Sequence, residues 1–288
     1  MKAAPFTFHR AEGLDHALAL LSEHGGDCKP IAGGQSLVPM MAMRLARPAV
    51  LMDVNRLDML RDRALDGGRL RLGATLRQRD LLADAAALDA VPLLAEALRW
   101  VGHVQTRNRG TVGGSLVHAD PVAELPLAAA VLDATLVLRG PGGERRVPAR
   151  EFFHGPFFTA TAEDELLLAS EWPVWPGARA AFEEVAIRHG DFAMASACCQ
   201  LALAPDGTVA RAALGLGGVG GTPLAFPDLA TALHGRRLDA ALAAEVATAA
   251  AARSEPGTDM HADAAYRRHL AAVLLRRALL RAAAPRIA

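Results

Sequence analysis

The first 55 residues alternate short apolar runs with segments of helical periodicity. Leu14, Leu18 and Leu21 recur at helical spacing, and the pair Gly25-Gly26 ends that segment. Apolar density of a helical kind returns over residues 37–45. Three short apolar runs flank these helices and are predicted strands: residues 6–8, 28–31 and 49–54. The pattern therefore predicts a small β-α-β-α-β unit.

The middle of the chain predicts a second unit that opens with an alternating strand. A turn at Asp66-Gly67-Gly68 precedes residues 69–74, where apolar and polar positions alternate as in a half-exposed strand. Helices are predicted over residues 77–86, 92–101 and 123–134, whereas residues 102–110 show no clear period. Strands at 135–138 and before Pro173 complete this part.

The remaining residues predict an α+β unit. Strands are predicted over residues 197–203 and 209–216, followed by helices within 229–281. Residues 215–220 match G-x-G-x-x-G after a strand, which is the order of a dinucleotide-binding fingerprint. Such a fingerprint requires a helix to begin at the glycines, but Pro223 and Pro227 interrupt any helix there. We therefore expect no nicotinamide site at this position.

Composition and charge narrow the class of protein. The 288 residues carry no net formal charge, which does not favour nucleic acid or an anionic membrane as a general partner. No apolar run has the length of a membrane-spanning helix, and the N-terminus has no secretory signal, so the expected location is the cytoplasm. Cys28, Cys198 and Cys199 form neither a disulfide framework nor a C-x-x-C metal motif. Any metal centre is therefore expected in another chain.

Two glycine-rich loops carry the candidate chemistry. The first runs from Ala32 to Leu37 with the sequence AGGQSL, and the second is RGTVGGS, from Arg109 to Ser115. Adjacent glycines let the backbone approach an anion, Ser36 is expected to cap the following helix, and hydroxyls of Thr111 and Ser115 can donate to phosphate. The first loop alone is compatible with an ordinary strand-to-helix turn. Two such loops together predict a cradle that closes on a pyrophosphate from both sides.

The runs 32–55 and 107–126 resemble the FAD-binding medium subunit of molybdenum hydroxylases, the carbon monoxide dehydrogenase and xanthine dehydrogenase family. The motifs A-G-G-x-S and T-(I/V)-G-G-S/N both occur, in the family's order and at a family-like separation. The resemblance extends over essentially the whole chain. It implies an α+β chain with a two-subdomain FAD-binding fold of the PCMH, or vanillyl-alcohol oxidase-like, type. The implied parts are residues 1–57 and 58–175 for FAD, and 176–288 for a C-terminal domain with a small antiparallel sheet and helices.

The resemblance also implies which residues contact FAD. The pyrophosphate region would be held by loop residues, namely Ala32, Gly33, Gly34, Gln35, Ser36, Leu37, Thr111, Gly113, Gly114 and Ser115. The resemblance gives the position of Glu124 to an acidic flavin ligand and packs Leu167 on the flavin. As carboxylates just after the second loop, Asp120 and Glu124 can both accept hydrogen bonds from ribityl or ribose hydroxyls. Each has a structural alternative, because acidic residues favour helix N-termini and any apolar strand needs a core leucine. His118 is expected to be structural.

One segment departs from the family pattern. Residues 182–193 resemble the loop beside the isoalloxazine edge, where many members carry a lysine. This chain has Glu183 and Glu184 instead. A missing cation there can change the flavin potential or the stability of an anionic semiquinone, so the lysine's role is not carried over.

The sequence contains no acid-base or nucleophile motif, which fits a protein whose chemistry belongs to a cofactor. The resemblance implies an FAD-dependent electron-transfer subunit. A molybdopterin large subunit would hydroxylate the substrate, a small 2Fe-2S subunit would relay electrons to FAD, and FAD would pass them to a terminal acceptor. The expected assembly is a dimer of heterotrimers.

Two other functions stay open at this point: a self-standing FAD oxidoreductase and a flavin-free scaffold. The substrate pocket would lie in another chain, so carbon monoxide, purines, N-heterocycles and aldehydes are equally compatible with these residues. Oxygen, a quinone and a nicotinamide are likewise equally compatible as the terminal acceptor.

Overall fold

The computed structural model describes residues 2–284. The N-terminal part is built in the predicted β-α-β-α-β order from β1 (Thr7–Arg10), α1 (Leu14–His24), β2 (Cys28–Ile31), α2 (Leu37–Ala42) and β3 (Val50–Asp53). The three strands are parallel, with β3 between β1 and β2. Ala17, Leu18 and Leu21 of α1 are buried, and these lie on the helix face that the leucine spacing predicted. This arrangement places the loop after β2 at one edge of the small sheet.

The middle part is a five-stranded antiparallel sheet with helices packed against it. Its elements are β4 (Arg63–Asp66), β5 (Arg69–Gly73), α3 (Gln78–Leu82), α4 (Ala85–Ala90), α5 (Pro92–Leu98), α6 (Val104–Arg109), α7 (Val112–His118), α8 (Glu124–Leu132), β6 (Thr135–Gly140), β7 (Gly143–Pro148), α9 (Ala149–Phe152), β8 (Phe153–Gly155), β9 (Phe158–Thr159) and β10 (Leu166–Pro173). The strand order is β4-β5-β10-β6-β7, and β8 and β9 form a separate hairpin. Every residue of α8 from Leu125 to Leu132 is buried, as its apolar sequence predicted.

Two helices of this part differ from the predictions. The helix expected over residues 77–86 is divided into α3 and α4, because Asp84 accepts a hydrogen bond from Ala87 N and begins a new helix. The segment 102–110, which has no hydrophobic period, contains α6. None of the residues of α6 is buried, so its sequence carries no apolar face to reveal it.

The C-terminal part contains the four-stranded antiparallel sheet β11 (Arg179–Val185), β12 (Ala195–Leu203), β13 (Val209–Gly217) and β14 (Leu224–Ala225), and then α10 (Pro227–Ala232), α11 (Ala240–Ala252) and α12 (Ala264–Ala283). One sheet face joins the core of the middle part through Phe182 and Cys198, while the opposite face, with Ala181 and Cys199, is buried beneath the C-terminal helices. The predicted α+β fold is confirmed. Within residues 2–284, no helix is long and apolar enough to cross a membrane.

The glycines of the G-x-G-x-x-G match serve packing. Strand β13 ends at Gly217, and no helix begins before Pro227, so the strand-to-helix turn of a dinucleotide fingerprint is not formed. A Cβ added at Gly217 would lie 3.1 Å from a methyl group of Leu127. The glycines therefore let α8 approach the sheet closely.

The segment expected as a loop over residues 182–193 is partly a strand. Residues up to Val185 belong to β11, and the connection to β12 begins at Ala186. The loop was expected from the resemblance alone, and its first four residues, 182–185, are the end of a strand paired with β12.

Candidate functional site

The two glycine loops meet in the folded chain. A Cβ added at Gly33 would lie 2.5 Å from the carbonyl oxygen of Arg109 and 2.9 Å from Cα of Gly110. Only a residue without a side chain permits this approach, because real Cβ atoms do not come so near to a backbone. The fold therefore brings together two loops that are far apart in the sequence.

Arg77 and Asn55 tie the loops to each other. Arg77 donates from Nη2 to Oδ1 of Asn55 at 2.6 Å and from Nη1 to the carbonyl of Arg109 in the second loop. Asn55 donates from Nδ2 to the carbonyl of Ala32 in the first loop at 2.9 Å. Neither residue was predicted from the sequence to be part of the site. Asn55 lies two residues after the end of β3, and that position was its only sequence signal.

The second loop is fastened along its backbone. Gln78 N donates to the Gly110 carbonyl, Val112 N to that of Leu76, and Gly113 N to that of Ala74, at 2.9 to 3.0 Å. Thr111 is the N-cap of α7, and its hydroxyl accepts from Gly114 N at 3.0 Å. Thr111 and Gly113 are buried, Ser115 is half-buried and Gly114 is exposed. Gly114 and Ser115 are thus the parts of this loop open to a ligand.

The first loop is held more loosely. Ser36 precedes α2, but its side chain makes no capping hydrogen bond, contrary to the prediction. Its φ of −99° and ψ of −47° are helical, whereas a capping side chain requires extended backbone. Gln35 donates from Nε2 to the Gly33 carbonyl at 3.1 Å, and Gly34 has a φ of +71° that favours glycine. Gln35 and Ser36 are exposed, and Leu37 begins α2.

A cleft of about 430 Å³ opens beside the first loop. Its walls come from β1, β2, the first loop, α2, the end of β3 with the residues after it, and the start of the second loop. The lining residues are Phe8, Ile31, Ala32, Gly33, Gly34, Gln35, Val38, Pro39, Asp53, Asn55 and Arg109. This volume is in the range of ligand pockets in proteins. The lining combines apolar side chains and glycine backbone with the guanidinium of Arg109 and the carboxylate of Asp53.

Positive charge collects where the loops meet. Burial, together with the charges of Arg109 and Arg61, lowers the pKa of Arg77 below its ordinary value. A cluster of arginines beside backbone that a side chain would block suits a pyrophosphate, which needs both close approach and positive potential. The residues present therefore fit the diphosphate of FAD.

The acidic residues after the second loop lie in a partly buried turn. Asp120 accepts a hydrogen bond from Val122 N at 3.1 Å, and Glu124 is the first residue of α8. Desolvation, together with the charge of Asp120, raises the pKa of Glu124 to about 7, although Arg107 acts in the opposite direction. His118 contacts the ring of Phe157, and burial lowers its pKa.

Leu167 is 3% exposed and lies in the core shared by the middle part and the C-terminal sheet. Its role toward the flavin stays a prediction, as do those of the other named FAD contacts.

Glu183 and Glu184 have different surroundings. Glu183 pairs with Arg281 of α12, with 3.0 Å between its carboxylate and Nε. Glu184 lies on the opposite sheet face and is 7% exposed, and its Oε2 has no hydrogen-bond partner within the described residues. Desolvation, followed by the charge of Glu124, raises the pKa of Glu184 to about 9.

The fold and the paired loops define a flavin-binding protein with an added α+β domain. The chain matches two protein families, described as the FAD binding domain in molybdopterin dehydrogenase, over residues 4–175, and the CO dehydrogenase flavoprotein C-terminal domain, over residues 180–282. The chain belongs to the FAD-binding medium subunits of the molybdenum hydroxylase family, and FAD is its cofactor. It is an oxidoreductase subunit.

Relatives match along nearly their full length. The 6-hydroxypseudooxynicotine dehydrogenase complex subunit alpha of Paenarthrobacter nicotinovorans is 36% identical over 98% of this chain and 96% of its own. The carbon monoxide dehydrogenase medium chain of Hydrogenophaga pseudoflava is 35% identical over 95% and 96%.

Solved structures of related proteins have the same fold along nearly the whole chain. One of carbon monoxide dehydrogenase from Hydrogenophaga pseudoflava matches with a TM-score of 0.94 at 35% identity, covering 98% of both chains. One of quinoline 2-oxidoreductase from Pseudomonas putida 86 matches with a TM-score of 0.93 at 34% identity, also covering 98% of both. The resemblance and the cofactor predicted from the sequence are confirmed.

Proposed function

We propose that this chain accepts electrons from the 2Fe-2S clusters of a small subunit and passes them from FAD to a terminal acceptor. These electrons would come from substrate hydroxylation in a molybdopterin-containing large subunit, and two heterotrimers would associate in the cytoplasm. The observation that carries the FAD site is the meeting of the two glycine loops, where Gly33 lies against the backbone of Arg109 and Gly110. The printed names of relatives, as subunits or medium chains of dehydrogenases, support the multi-subunit assembly.

The protein's own residues bind and orient the cofactor. Gly33, Gly34 and Gly114 let the diphosphate approach the backbone, and Ser115 and Gln35 supply side-chain donors beside it. Asp120 and Glu124 accept hydrogen bonds from sugar or ribityl hydroxyls. Bound FAD supplies the redox chemistry, because it exchanges electrons one or two at a time.

The first test is the absorption spectrum of the purified chain before and after addition of FAD. Wild-type protein should take up FAD, whereas Gly33→Val and Gly114→Val should lose it. At Gly33 the added carbons would push against the second loop, and at Gly114 they would displace the Thr111 hydroxyl, 2.6 Å from the new Cβ. The matched control is Gly257→Val, since Gly257 is exposed and a Cβ there meets nothing within 4 Å.

The assembly is tested by affinity purification of the wild-type chain from cells that also make its partner subunits. Molybdenum and iron-sulfur clusters should co-purify with the flavin. Substrate turnover by the isolated chain would instead support a self-standing oxidoreductase, and a chain that takes up no FAD, alone or with partners, would support a scaffold.

A further inference from the structure

Two unpartnered polar groups face each other on the inner face of the C-terminal sheet. Glu184 of β11 lies directly opposite Ser196 of β12, and Ser196 lies opposite Gly217 of β13. Ser196 is fully buried and Glu184 is 7% exposed. Neither Oε2 of Glu184 nor Oγ of Ser196 has a hydrogen-bond partner among residues 2–284. A buried polar atom without a partner is costly, so its retention points to a role.

Helix α8 brings Glu124 to the same level of the sheet. Leu127 contacts the position where a Gly217 Cβ would lie, at 3.1 Å. Glu124 precedes Leu127 by three residues and therefore lies on the same helix face, one turn toward the N-terminus. The chain just before α8 touches the sheet too, because Gly218 N donates to the Pro121 carbonyl at 3.0 Å. Glu124 and Glu184 thus approach each other from the two sides of this interface.

Among residues 2–284, no cationic side chain donates a hydrogen bond to Oε2 of Glu184. From α8 it faces Glu124, and no residue of β13 near it is charged, since Gly215 and Gly217 occupy that part of the strand. The buried thiol of Cys198 shares its sheet face. The Glu183–Arg281 ion pair lies on the other face.

Around Glu124 the charged neighbours are Asp120 and, in α6, Arg107. His118 of α7 interacts with Asp120, and burial disfavours its charged form by lowering its pKa. Burial, together with the charge of Asp120, raises the pKa of Glu124 to about 7. Burial, followed by the charge of Glu124, raises the pKa of Glu184 to about 9. Two interacting acids of this kind titrate as a unit.

We propose that Glu124 and Glu184 hold one proton between them, with Glu184 as a protonated positioning residue that keeps a single negative charge on Glu124, the proposed acceptor for a hydroxyl of FAD. The pair takes up a further fraction of a proton when the negatively charged FAD binds. This second part of the proposal rests on the proposed FAD site. Glu184 acts through Glu124 and does not itself touch the cofactor.

Infrared spectroscopy of the cofactor-free chain tests the pair directly. At pH 8, between the pKa values of the two acids, wild-type protein should show the C=O stretching band of a buried protonated carboxyl, and Glu184→Gln should remove most of it. In Glu124→Gln the band should persist but vanish at a lower pH, by about one unit, because the repelling charge is gone. The control Glu171→Gln alters a buried carboxyl that is paired with Arg71 and Arg146, and should leave the band and its midpoint unchanged.

Two infrared results would contradict the proposed carboxyl pair. One is a C=O band that survives undiminished in Glu184→Gln, and the other is an identical titration midpoint in wild type and Glu124→Gln. Circular dichroism checks that each variant is folded, and Glu184→Asp, which keeps the carboxyl, should keep a titrating band if Glu184→Gln were to misfold.

Calorimetry of FAD binding in buffers of different ionisation enthalpy tests the second statement. At pH 8 wild type should take up a measurable fraction of a proton on binding, and Glu184→Gln should take up less than half of that. Equal uptake by both proteins would refute the coupling. If wild type bound no FAD, the proposed cofactor site would fail while the infrared result would still decide the carboxyl pair.

Discussion

The two glycine loops look alike in sequence but are held by different forces. Three backbone hydrogen bonds join the second loop to residues 74–78, which connect β5 to α3 and include the first residue of α3, and Thr111 caps the helix that follows. The first loop leads into a six-residue helix without a side-chain cap, and its exposed residues Gln35 and Ser36 contribute little packing. Side chains from elsewhere, Asn55 and Arg77, hold it against its partner.

The two sides of the cleft are therefore fixed in different ways. The second loop is held by the core of the middle part, whereas the first loop is held by its contacts with the second. The second loop belongs to the core of the middle part, since Val112 and Leu116 are fully buried there. The first loop borders a smaller core and depends on a few polar contacts. Changes in the second loop should therefore cost stability, whereas changes in the first should act mainly on FAD binding.

The largest effect is expected from Gly113→Val. The Cβ of the new valine would lie 2.6 Å from Cα and Cβ of Ala74, a buried residue against which the second loop packs. Overpacking against backbone should lower the free energy of unfolding by about 3 kcal/mol and abolish FAD uptake. Urea denaturation followed by circular dichroism measures the loss, with Gly257→Val as control. A free energy of unfolding close to that of wild type would show that the backbone around Ala74 shifts at little cost, against this prediction.

Arg77→Met should come next, because it removes the tie between the loops. The Asn55 side chain and the Arg109 carbonyl would each lose a charged donor, at a cost of about 2 kcal/mol in unfolding free energy. The first loop would also lose its link to the second loop, which should weaken FAD binding by at least about tenfold. Arg79→Met is the control, since Arg79 is exposed and, within the part of the chain that the structure describes, its ion pair is with its neighbour Asp80. Equal FAD affinity in both variants would contradict the tie.

Thr111→Val should have a moderate effect. It keeps the buried volume but removes the oxygen that accepts from Gly114 N, which should cost about 1 kcal/mol of stability. Thermal unfolding without FAD measures this loss. A variant as stable as wild type would mean that the cap contributes nothing.

Ser36→Ala should have the smallest effect on stability. The corresponding position of the first loop makes no capping bond, so its loss should change unfolding free energy by less than about 0.5 kcal/mol. The same thermal measurement applies, and comparison with Thr111→Val tests the contrast between the loops. A loss as large as that of Thr111→Val would remove the distinction.

Much of the fold follows from local pattern. Leucine spacing identified α1, the apolar density of residues 125–132 identified α8, and alternation identified β5. Helix α6 was missed because it is short and buries no side chain. The break between α3 and α4 was missed because a capping aspartate inside a helical stretch is a weak signal.

For the site, the sequence by itself determined the two glycine loops and, through their motifs, the family and the cofactor. Only the tertiary structure decided that Gly33 lies against Arg109, that Asn55 and Arg77 join the loops, and that Glu184 is buried opposite Ser196 while Glu183 pairs with α12. The physical reason is that glycine motifs are local requirements of backbone conformation. Burial and pairing depend on which distant surfaces pack together, and neighbouring glutamates on a strand point to opposite faces whatever their shared chemistry.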